Sequence, residues 1–297
     1  MTSRFADRLT ALVEERRSQV CLGLDPDPAK LLPGIAVESD GASGAPAVLA
    51  GRAVAAHCRE LIATVGPHCV AVKPQLACFE RLGPPGWEAL ADAREAAREA
   101  GLLFLADGKR GDVPVTAAAY AQALVGSTPT PWGEVAGLGA DAFTANPLLG
   151  RDALEPLVAG CEAAGAGMFV LVRTSNPGAA DLMDVPSPEA PLHERLASLV
   201  DALSGRLLGE GGLSGLGAVV GATEPEHIAR LRELMPRSVF LLPGVGAQGG
   251  DPKLLGAAFA PGPAGAIVAS SRGIAGAPDP AVAAEELRST LWEISNA

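Results

Sequence analysis

The sequence predicts an α/β fold, a (β/α)8 or TIM barrel, from three observations. Short apolar runs alternate with helical stretches along the whole chain, and eight such runs can be counted. The length of 297 residues suits one barrel of this kind with some insertions. Runs such as MFVLV are apolar at every position, as is typical of parallel strands covered on both faces. We therefore expect a single barrel domain over residues 1–297, with an extra N-terminal helix.

The first part of the chain supplies that extra helix and three strands. Its opening stretch is amphipathic, whereas the later strand-like runs end in a charged residue or in proline, which terminates strands. The predicted elements are, in order, a helix at about 3–18, a strand in VCLGLDPD from residue 20, a helix at about 47–65, a strand at 69–75, a helix at about 86–100 and a strand at 102–109. Segment 31–46 has no periodicity and is predicted to be a loop.

The rest of the chain continues the same alternation with five more strands. The predicted elements are a helix from about residue 113, strands at 141–147 and 167–179 with a helix from Asp152 between them, a helix at about 191–208, a strand at 216–223, a helix at 224–235, strands at 239–250 and 264–274, and a closing helix at 280–294. Segment 176–190, rich in Pro, Ala and Asp, is predicted to be a loop. Segment 125–140 carries no recognisable motif.

Composition excludes several functional classes. A net charge of −11 and a pI near 4.9, without any basic run, argue against nucleic-acid binding. The five cysteines and four histidines have no metal-ligand spacing, so no metal is expected. The early part of the chain lacks a GxGxxG fingerprint, which disfavours a dinucleotide. The N-terminal helix contains acids and no apolar run reaches the length of a membrane span, so we expect a cytoplasmic protein that takes no part in membrane binding.

Polar residues at the ends of the predicted strands indicate an active site. In barrels of this class, active sites lie at the carboxyl ends of the strands. The residues that fall there are Asp25, Lys73, Asp107 with Lys109, Thr144 with Asn146, Arg173 with Ser175, Gln248 and Arg272. No single member is persuasive alone, but their convergence on one mouth predicts a polar pocket.

The stretch FLADGKRGD, residues 104–112, concentrates charge at the end of one strand. Side chains alternate faces along a strand, so Asp107 and Lys109 share the face of Leu103 and Leu105. Asp112 lies beyond a turn, and its side chain points in another direction or serves another subunit. A salt bridge that merely caps the strand is the alternative. With Lys73 on the neighbouring strand, however, the charges form an array in which carboxylates keep a lysine protonated as a general acid.

Two loops after the last strands predict a phosphate site. GVGAQGGD has the composition of a loop whose backbone N–H groups hold an anion, and ASSRGI adds the guanidinium of Arg272. A glycine-rich turn alone is more often a plain connection. Barrels often bind phosphate at these loops, and arginine suits phosphate geometry. Ser175 directly follows a strand and is placed to contact a polar ring edge, whereas Asn176 and Pro177 are turn formers.

Taken together, these motifs resemble the orotidine 5′-phosphate decarboxylase family, most closely its longer bacterial subfamily. The resemblance is carried by VKPQ, DGKRGD followed by TAAAYA, TANPLLG, RTSNPGA, PGVGAQGG and SSRGI. The DxKxxD pattern alone is less specific, because hexulose-phosphate synthases and ketogulonate-phosphate decarboxylases share it. Three alternatives stay open: a Mg²⁺-dependent aldolase of that related kind, a Schiff-base aldolase, and a nucleotide-binding protein without turnover.

The resemblance implies the decarboxylation of orotidine 5′-monophosphate to UMP in pyrimidine biosynthesis, without a cofactor. Loss of CO₂ would leave a carbanion at C6, which Lys109 would stabilise and protonate. The charged tetrad would be Lys73, Asp107, Lys109 and Asp112, the last donated by the partner subunit of a homodimer with shared active sites. The implied substrate-binding residues are Asp25 at a ribose hydroxyl, Thr116 reaching across the dimer, Ser175 at the pyrimidine, and Gln248 and Arg272 at the phosphate. The resemblance assigns no role to Arg173.

Overall fold

The computed structural model describes residues 3–35, 45–246 and 249–297 of the chain. The strands are, in chain order, β1 (Val20–Leu24), β2 (Ala71–Pro74), β3 (Leu103–Arg110), β4 (Ser127–Thr130), β5 (Gly133–Ala136), β6 (Ala142–Ala145), β7 (Gly167–Arg173), β8 (Ser214–Val220), β9 (Ser238–Pro243) and β10 (Ala266–Ser270).

The helices surround these strands. They are α1 (Phe5–Arg16), α2 (Pro46–Val65), α3 (Leu76–Glu80), α4 (Pro84–Glu99), α5 (Pro114–Leu124), α6 (Arg151–Ala164), α7 (Ala180–Met183), α8 (Leu192–Ser204), α9 (Pro225–Leu234), α10 (Arg272–Ala275) and α11 (Pro280–Ser295). Several of them begin with proline in the first turn, where the missing N–H is not needed and the fixed φ suits a helix.

Eight parallel strands close into a barrel in the order β1, β10, β9, β8, β7, β6, β3, β2. The predicted (β/α)8 barrel is therefore confirmed, and α1 is the extra helix that was expected ahead of the first strand. Gly23 on β1 shows how closely the barrel is packed near its mouth, because a Cβ there would lie 2.7 Å from the Cβ of Ser271. Only glycine fits this approach of two neighbouring strand ends.

Each strand contributes to two apolar cores, one on the inner face of the barrel and one on its outer face. Along β3, Leu103 and Leu105 belong to the inner core and Phe104 and Ala106 to the outer one beneath the helices. This alternation follows from the two-residue period of a strand. The inner core is closed by α1, whose Phe5 packs edge-on against Phe169 of β7 with ring centroids 5.9 Å apart.

Arg16 fixes α1 to the amino-terminal end of the barrel. Its guanidinium donates hydrogen bonds to the carbonyl oxygens of Gly66, Cys69, Ala100 and Gly101, which directly precede β2 and β3. One side chain thus satisfies carbonyls of two connecting segments that would otherwise lack partners. The helix covers the end of the barrel that lies opposite the predicted mouth.

Two local predictions differ from the structure, and one segment without a prediction contains regular structure. Segment 125–140, for which no element was predicted, contains the antiparallel hairpin of β4 and β5, and the predicted loop 176–190 contains α7. Strands β7, β9 and β10 end several residues earlier than predicted, because Gly and Pro follow them closely. Residues 31–35 are irregular as expected, while residues 36–44 of the predicted loop lie outside the described part of the chain. Within the described ranges, no helix is long and apolar enough to cross a membrane.

Candidate active site

The carboxyl ends of the strands surround a cavity of about 270 Å³. Seven of the residues singled out from the sequence line it: Asp25, Lys73, Asp107, Lys109, Thr144, Ser175 and Arg272. They lie on β2, β3 and β6 or in the segments that follow β1, β7 and β10, so they are brought together only by closure of the barrel. The structure therefore confirms that these polar strand ends converge on one pocket.

Asp107 is the centre of this pocket. Its Oδ2 lies 2.6 Å from the Nζ of Lys73 and its Oδ1 lies 2.7 Å from the Nζ of Lys109. Only 5% of Asp107 and 8% of Lys73 is exposed, whereas the side chain of Lys109 is 42% exposed. One buried carboxylate therefore bridges two ammonium groups, of which Lys109 is the more accessible.

Burial and charge act in opposite directions on this cluster. Desolvation alone would raise the pKa of Asp107, but the ammonium groups of Lys73 and Lys109 outweigh it and hold that pKa well below its usual range. Desolvation alone would lower the pKa of Lys73, but Asp107 and Asp25 outweigh it and raise that pKa. Both partners are consequently ionised at neutral pH.

Thr144 on β6 connects Asp107 to the backbone of Lys109. Its Oγ1 accepts a hydrogen bond of 2.9 Å from the Lys109 N–H and lies 2.8 Å from Oδ1 of Asp107. Because a backbone N–H can only donate, the Thr144 hydroxyl must direct its own hydrogen at the carboxylate. Gln75 Nε2 donates to Oδ2 at 3.3 Å, so four donors surround Asp107.

Lys109 has an unusual backbone conformation. Its φ of 49° lies in the left-handed region, which residues other than glycine rarely adopt. The hydrogen bond from its N–H to Thr144 holds this conformation, and the departure from strand geometry aims the side chain at Asp107. Leu103, Leu105 and Asp107 share one strand face as predicted, whereas Lys109 reaches the same pocket through this local turn of the backbone.

Asp112 and Thr116 are not part of the cavity within one chain. Asp112 is half-buried, and its Oδ1 accepts a hydrogen bond from the N–H of Val113. Thr116 lies on the exposed side of α5. Among the described residues, no ion pair joins Asp112 to either lysine of the pocket. Their chain neighbours Val113 and Val115 are exposed apolar side chains, 53% and 85% exposed.

The remaining predicted residues lie at different depths. Asp25 is exposed at the end of β1, Ser175 is half-buried just after β7, and Arg272 is exposed at the start of α10. Gln248 falls outside the described residues. Near it, Gly244, Gly246 and Gly249 all have positive φ, so the backbone of this loop takes conformations that favour glycine.

Sequence reasoning left the functions of three neighbouring residues open or missed them. Gln75 was not singled out, although it directly follows the strand that carries Lys73. Thr144 was on the list of strand ends, but its link between β3 and β6 is visible only in three dimensions. Asn146, also on that list, accepts a hydrogen bond at Oδ1 from the N–H of Leu148 two residues later, which is the pattern of an asparagine turn.

Comparisons with known proteins identify the family to which the chain belongs. A family model described as orotidine 5′-phosphate decarboxylase / HUMPS family matches residues 18–287. The chain belongs to the orotidine 5′-phosphate decarboxylase / HUMPS family. An orotidine 5′-phosphate decarboxylase of Rhodopirellula baltica is 42% identical over 273 residues, which is 91% of this chain and 87% of the relative. One from Deinococcus radiodurans is 38% identical over 275 residues, 92% and 90% of the two chains.

Solved structures agree with this family assignment. The Leishmania donovani OMP decarboxylase structure superposes with a TM-score of 0.77 at 31% sequence identity, over 99% of each chain. The family model by itself spans two groups of enzymes, but the relatives named above are orotidine 5′-phosphate decarboxylases. The resemblance indicated by the motifs is therefore confirmed, and so is the enzyme class, a decarboxylase of the carbon–carbon lyases.

Proposed function

We propose that the protein decarboxylates orotidine 5′-monophosphate to UMP in de novo pyrimidine biosynthesis, with no metal or organic cofactor. The observation that carries the proposal is the buried Asp107 carboxylate between the ammonium groups of Lys73 and Lys109 at the mouth of the barrel. The activity of the relatives supports the choice of substrate. The activity of these relatives also favours decarboxylation over the hypothesis of a Mg²⁺-dependent aldolase.

Lys109 is proposed to act at C6 of the pyrimidine. When the bond from C6 to the carboxylate breaks, CO₂ leaves and the electron pair stays on C6. A preorganised ammonium group in a site shielded from water stabilises such a charge as it develops. A proton then moves from Lys109 Nζ to C6, and the neutral amine is reprotonated from solvent. The 42% exposure of the Lys109 side chain leaves it room to move from Asp107 towards the substrate.

Lys73 and Asp107 are proposed to prepare the site for this step. Lys73 keeps Asp107 ionised, and Asp107 in turn holds the Nζ of Lys109 at 2.7 Å, in position to act as an acid. A substrate carboxylate bound beside ionised Asp107 experiences repulsion that is relieved when CO₂ departs. The same charges thus favour loss of CO₂ and supply the proton that follows.

The outer part of the cavity is proposed to hold the rest of the nucleotide. Arg272 and Gln248 would bind the phosphate, and Asp25 would accept a hydrogen bond from a ribose hydroxyl. Ser175 would contact the pyrimidine from the segment after β7. Phosphate contacts far from C6 contribute binding energy that can be used to hold the charged cluster in place, so their loss should appear in turnover as well as in affinity.

The first test compares two lysine variants. With Lys109→Ala the absorbance of orotidine 5′-monophosphate should stay constant, because the substrate is not consumed. The circular dichroism spectrum of the variant should stay native. Lys253→Ala removes an exposed lysine outside the cavity and should behave as the wild type. EDTA should leave the wild-type rate unchanged, whereas an aldolase of the related kind requires Mg²⁺. Borohydride with substrate should trap no adduct. Activity that survives in Lys109→Ala would exclude the proposed proton donor.

The active site is further proposed to be completed in a homodimer. Asp112 and Thr116 lie outside the cavity of their own chain, next in sequence to the exposed Val113 and Val115, as residues that serve a second subunit would. Lys109→Ala and Asp112→Ala proteins should each be inactive alone. When mixed, they should regain activity, because some hybrid sites contain intact Lys109 and intact Asp112. Absence of recovery despite proven subunit exchange would contradict the shared site.

The domain organisation and location of the chain are also proposals. We expect residues 1–297 to unfold as one unit, since the strands that build the pocket come from the whole length of the barrel. A single cooperative transition seen by both far-UV and near-UV circular dichroism would support this. We also expect the enzyme in the cytoplasm, which fractionation of the producing cells can check.

A further inference from the structure

Arg173 is the centre of a second charged cluster, behind the pocket wall. It is the last residue of β7 and is only 3% exposed. Its Nε and Nη2 donate to the two carboxylate oxygens of Asp184 at 2.8 and 2.9 Å, and Nη2 also contacts Glu224. Hydrogen bonds from Arg173 lower the pKa of Asp184, so this carboxylate is ionised at neutral pH. The guanidinium joins β7 to the segment after α7 and to the start of α9.

The same guanidinium holds the segment that lines the pocket. Nη1 of Arg173 donates to the carbonyl oxygen of Thr174 at 2.6 Å. Thr174, Ser175 and Asn176 line the substrate cavity. The Thr174 hydroxyl donates to Oδ1 of Asn176 at 2.7 Å, so a displacement of Thr174 would also displace Asn176. We name residues 174–176 the pocket wall.

The segment that follows β8 also supports the pocket wall. The N–H of Gly221 donates to the carbonyl oxygen of Arg173 at 2.7 Å, and the Thr223 hydroxyl donates to that of Ser175 at 3.3 Å. A Cβ on Gly221 would lie 2.8 Å from the Cα of Ser175, so the wall packs directly on the strand end. The wall is therefore held both by the segment after β8 and by the Arg173 cluster.

The cluster is built to hold these elements together. Asp184, Glu224 and His227 offer oxygen and nitrogen atoms within 4.8 Å of one another, an arrangement that a metal ion can use. Here Arg173 already contacts both carboxylates. His193 adds a further contact, with Nδ1 2.8 Å from the carbonyl oxygen of Met183 and 3.2 Å from Asp184. A buried cation with bidentate geometry fixes its partners in direction as well as in distance.

We propose that Arg173 and Asp184 are positioning residues for the pyrimidine end of the substrate, an inference that rests on the proposed function. They act through the pocket wall and do not touch the substrate. Their contribution is to keep Ser175 at the distance and orientation that the ring requires. The proposed phosphate residue Arg272 lies at the start of α10, so phosphate binding should not depend on this cluster.

The test uses variants of the acid, because loss of the buried arginine would leave two carboxylates unpaired. Asp184→Asn keeps the size of the side chain and removes its charge. It should raise KM for orotidine 5′-monophosphate and the Kd for UMP by about tenfold each, with little change in kcat at saturation. The Kd for inorganic phosphate, measured by calorimetry, should stay at the wild-type value. Asp184→Glu, which restores the carboxylate, should recover much of the affinity for UMP.

A matched control separates positioning from general stability. Glu194 forms an ion pair with Arg230 between α8 and α9, close to the cluster but without a contact to the pocket wall. Glu194→Gln should leave KM and the Kd for UMP unchanged. If Asp184→Asn lowers Tm but keeps wild-type KM and UMP affinity, the cluster is only structural and the inference is wrong. Equal weakening of UMP and phosphate binding would also overturn it. Absence of turnover in the wild type would instead refute the proposed function.

Discussion

Thr144→Val is the sharpest single test of how the charged cluster is oriented. Valine has nearly the same shape as threonine, so the barrel interior stays filled, and the change removes only the hydroxyl that bridges Asp107 and Lys109. Asp107 then keeps three of its donors, while the N–H of Lys109 loses its acceptor. Lys109 occupies a left-handed conformation with φ of 49°, which this hydrogen bond helps to hold.

The expected magnitudes follow from these contacts. Loss of a hydrogen bond to a charged acceptor, together with a partly buried N–H left without a partner, should lower the free energy of unfolding by about 2 kcal/mol. Small misplacement of a catalytic group can reduce turnover by about a hundredfold. Because Asp107 and Lys109 would both lose their orientation, we expect kcat to fall roughly 10- to 100-fold, with a smaller change in KM.

Steady-state loss of orotidine 5′-monophosphate absorbance measures the effect, and urea unfolding measures the stability. Thr144→Ser keeps the hydroxyl and should retain most of kcat, although it removes a methyl group from the buried site. Wild-type kcat in Thr144→Val with reduced stability would show that the hydroxyl is only structural. Equal losses of kcat in the Val and Ser variants would show that packing of the methyl group, and not the hydrogen bond, is what matters.

Three further predictions concern other parts of the molecule. Because the folded-state pKa of Asp107 lies below the unfolded value of about 3.9, ionised Asp107 contributes its full stabilisation above that pH, and the contribution declines as the pH falls from there towards the folded-state pKa. The difference in unfolding free energy between wild type and Asp107→Asn, from urea titrations, should therefore shrink as the pH falls below about 4. Of the five cysteines, only Cys78 is not fully buried, and burial raises the pKa of Cys21 to about 12. Ellman's reagent should therefore label one thiol in the native protein and five in urea. The buried guanidinium of Arg232 donates to four backbone carbonyl oxygens far from the pocket. Arg232→Leu should therefore lower the free energy of unfolding by about 3–5 kcal/mol in urea titrations. It should leave kcat per folded molecule unchanged.

The barrel could be predicted from the sequence because each of its strands carries its own signal. Apolar runs such as MFVLV occupy positions that are covered on both faces, and this pattern does not depend on distant residues. The hairpin of β4 and β5 had no such signal. Its strands, STPT and GEVA, are largely exposed and contain proline or glycine, so no apolar alternation marks them. The short helix α3 is too brief for a helical period to show.

The charged cluster could be predicted in part for a similar reason. Lys73, Asp107 and Lys109 lie at strand ends, and barrel closure brings strand ends together whatever their exact geometry. The contacts of Thr144 and Arg173 could not be predicted in this way. The first depends on the register between β3 and β6, and the second on how the segment after β7 folds back to Asp184. Neither is encoded in a local pattern.

The helix that closes the amino-terminal end of the barrel also determines the route of ligands. With Phe5 and its neighbours packed into the inner core, the space beneath Asp107 is filled by apolar side chains. In the described part of the chain, the cavity opens at the carboxyl ends of the strands, so we expect substrate entry, escape of CO₂ and departure of the nucleotide to share that opening. UMP bound there would block the opening for as long as it stays bound. UMP should consequently compete directly with the substrate, and the release of UMP, not that of the small uncharged gas, should set how soon the next turnover can begin.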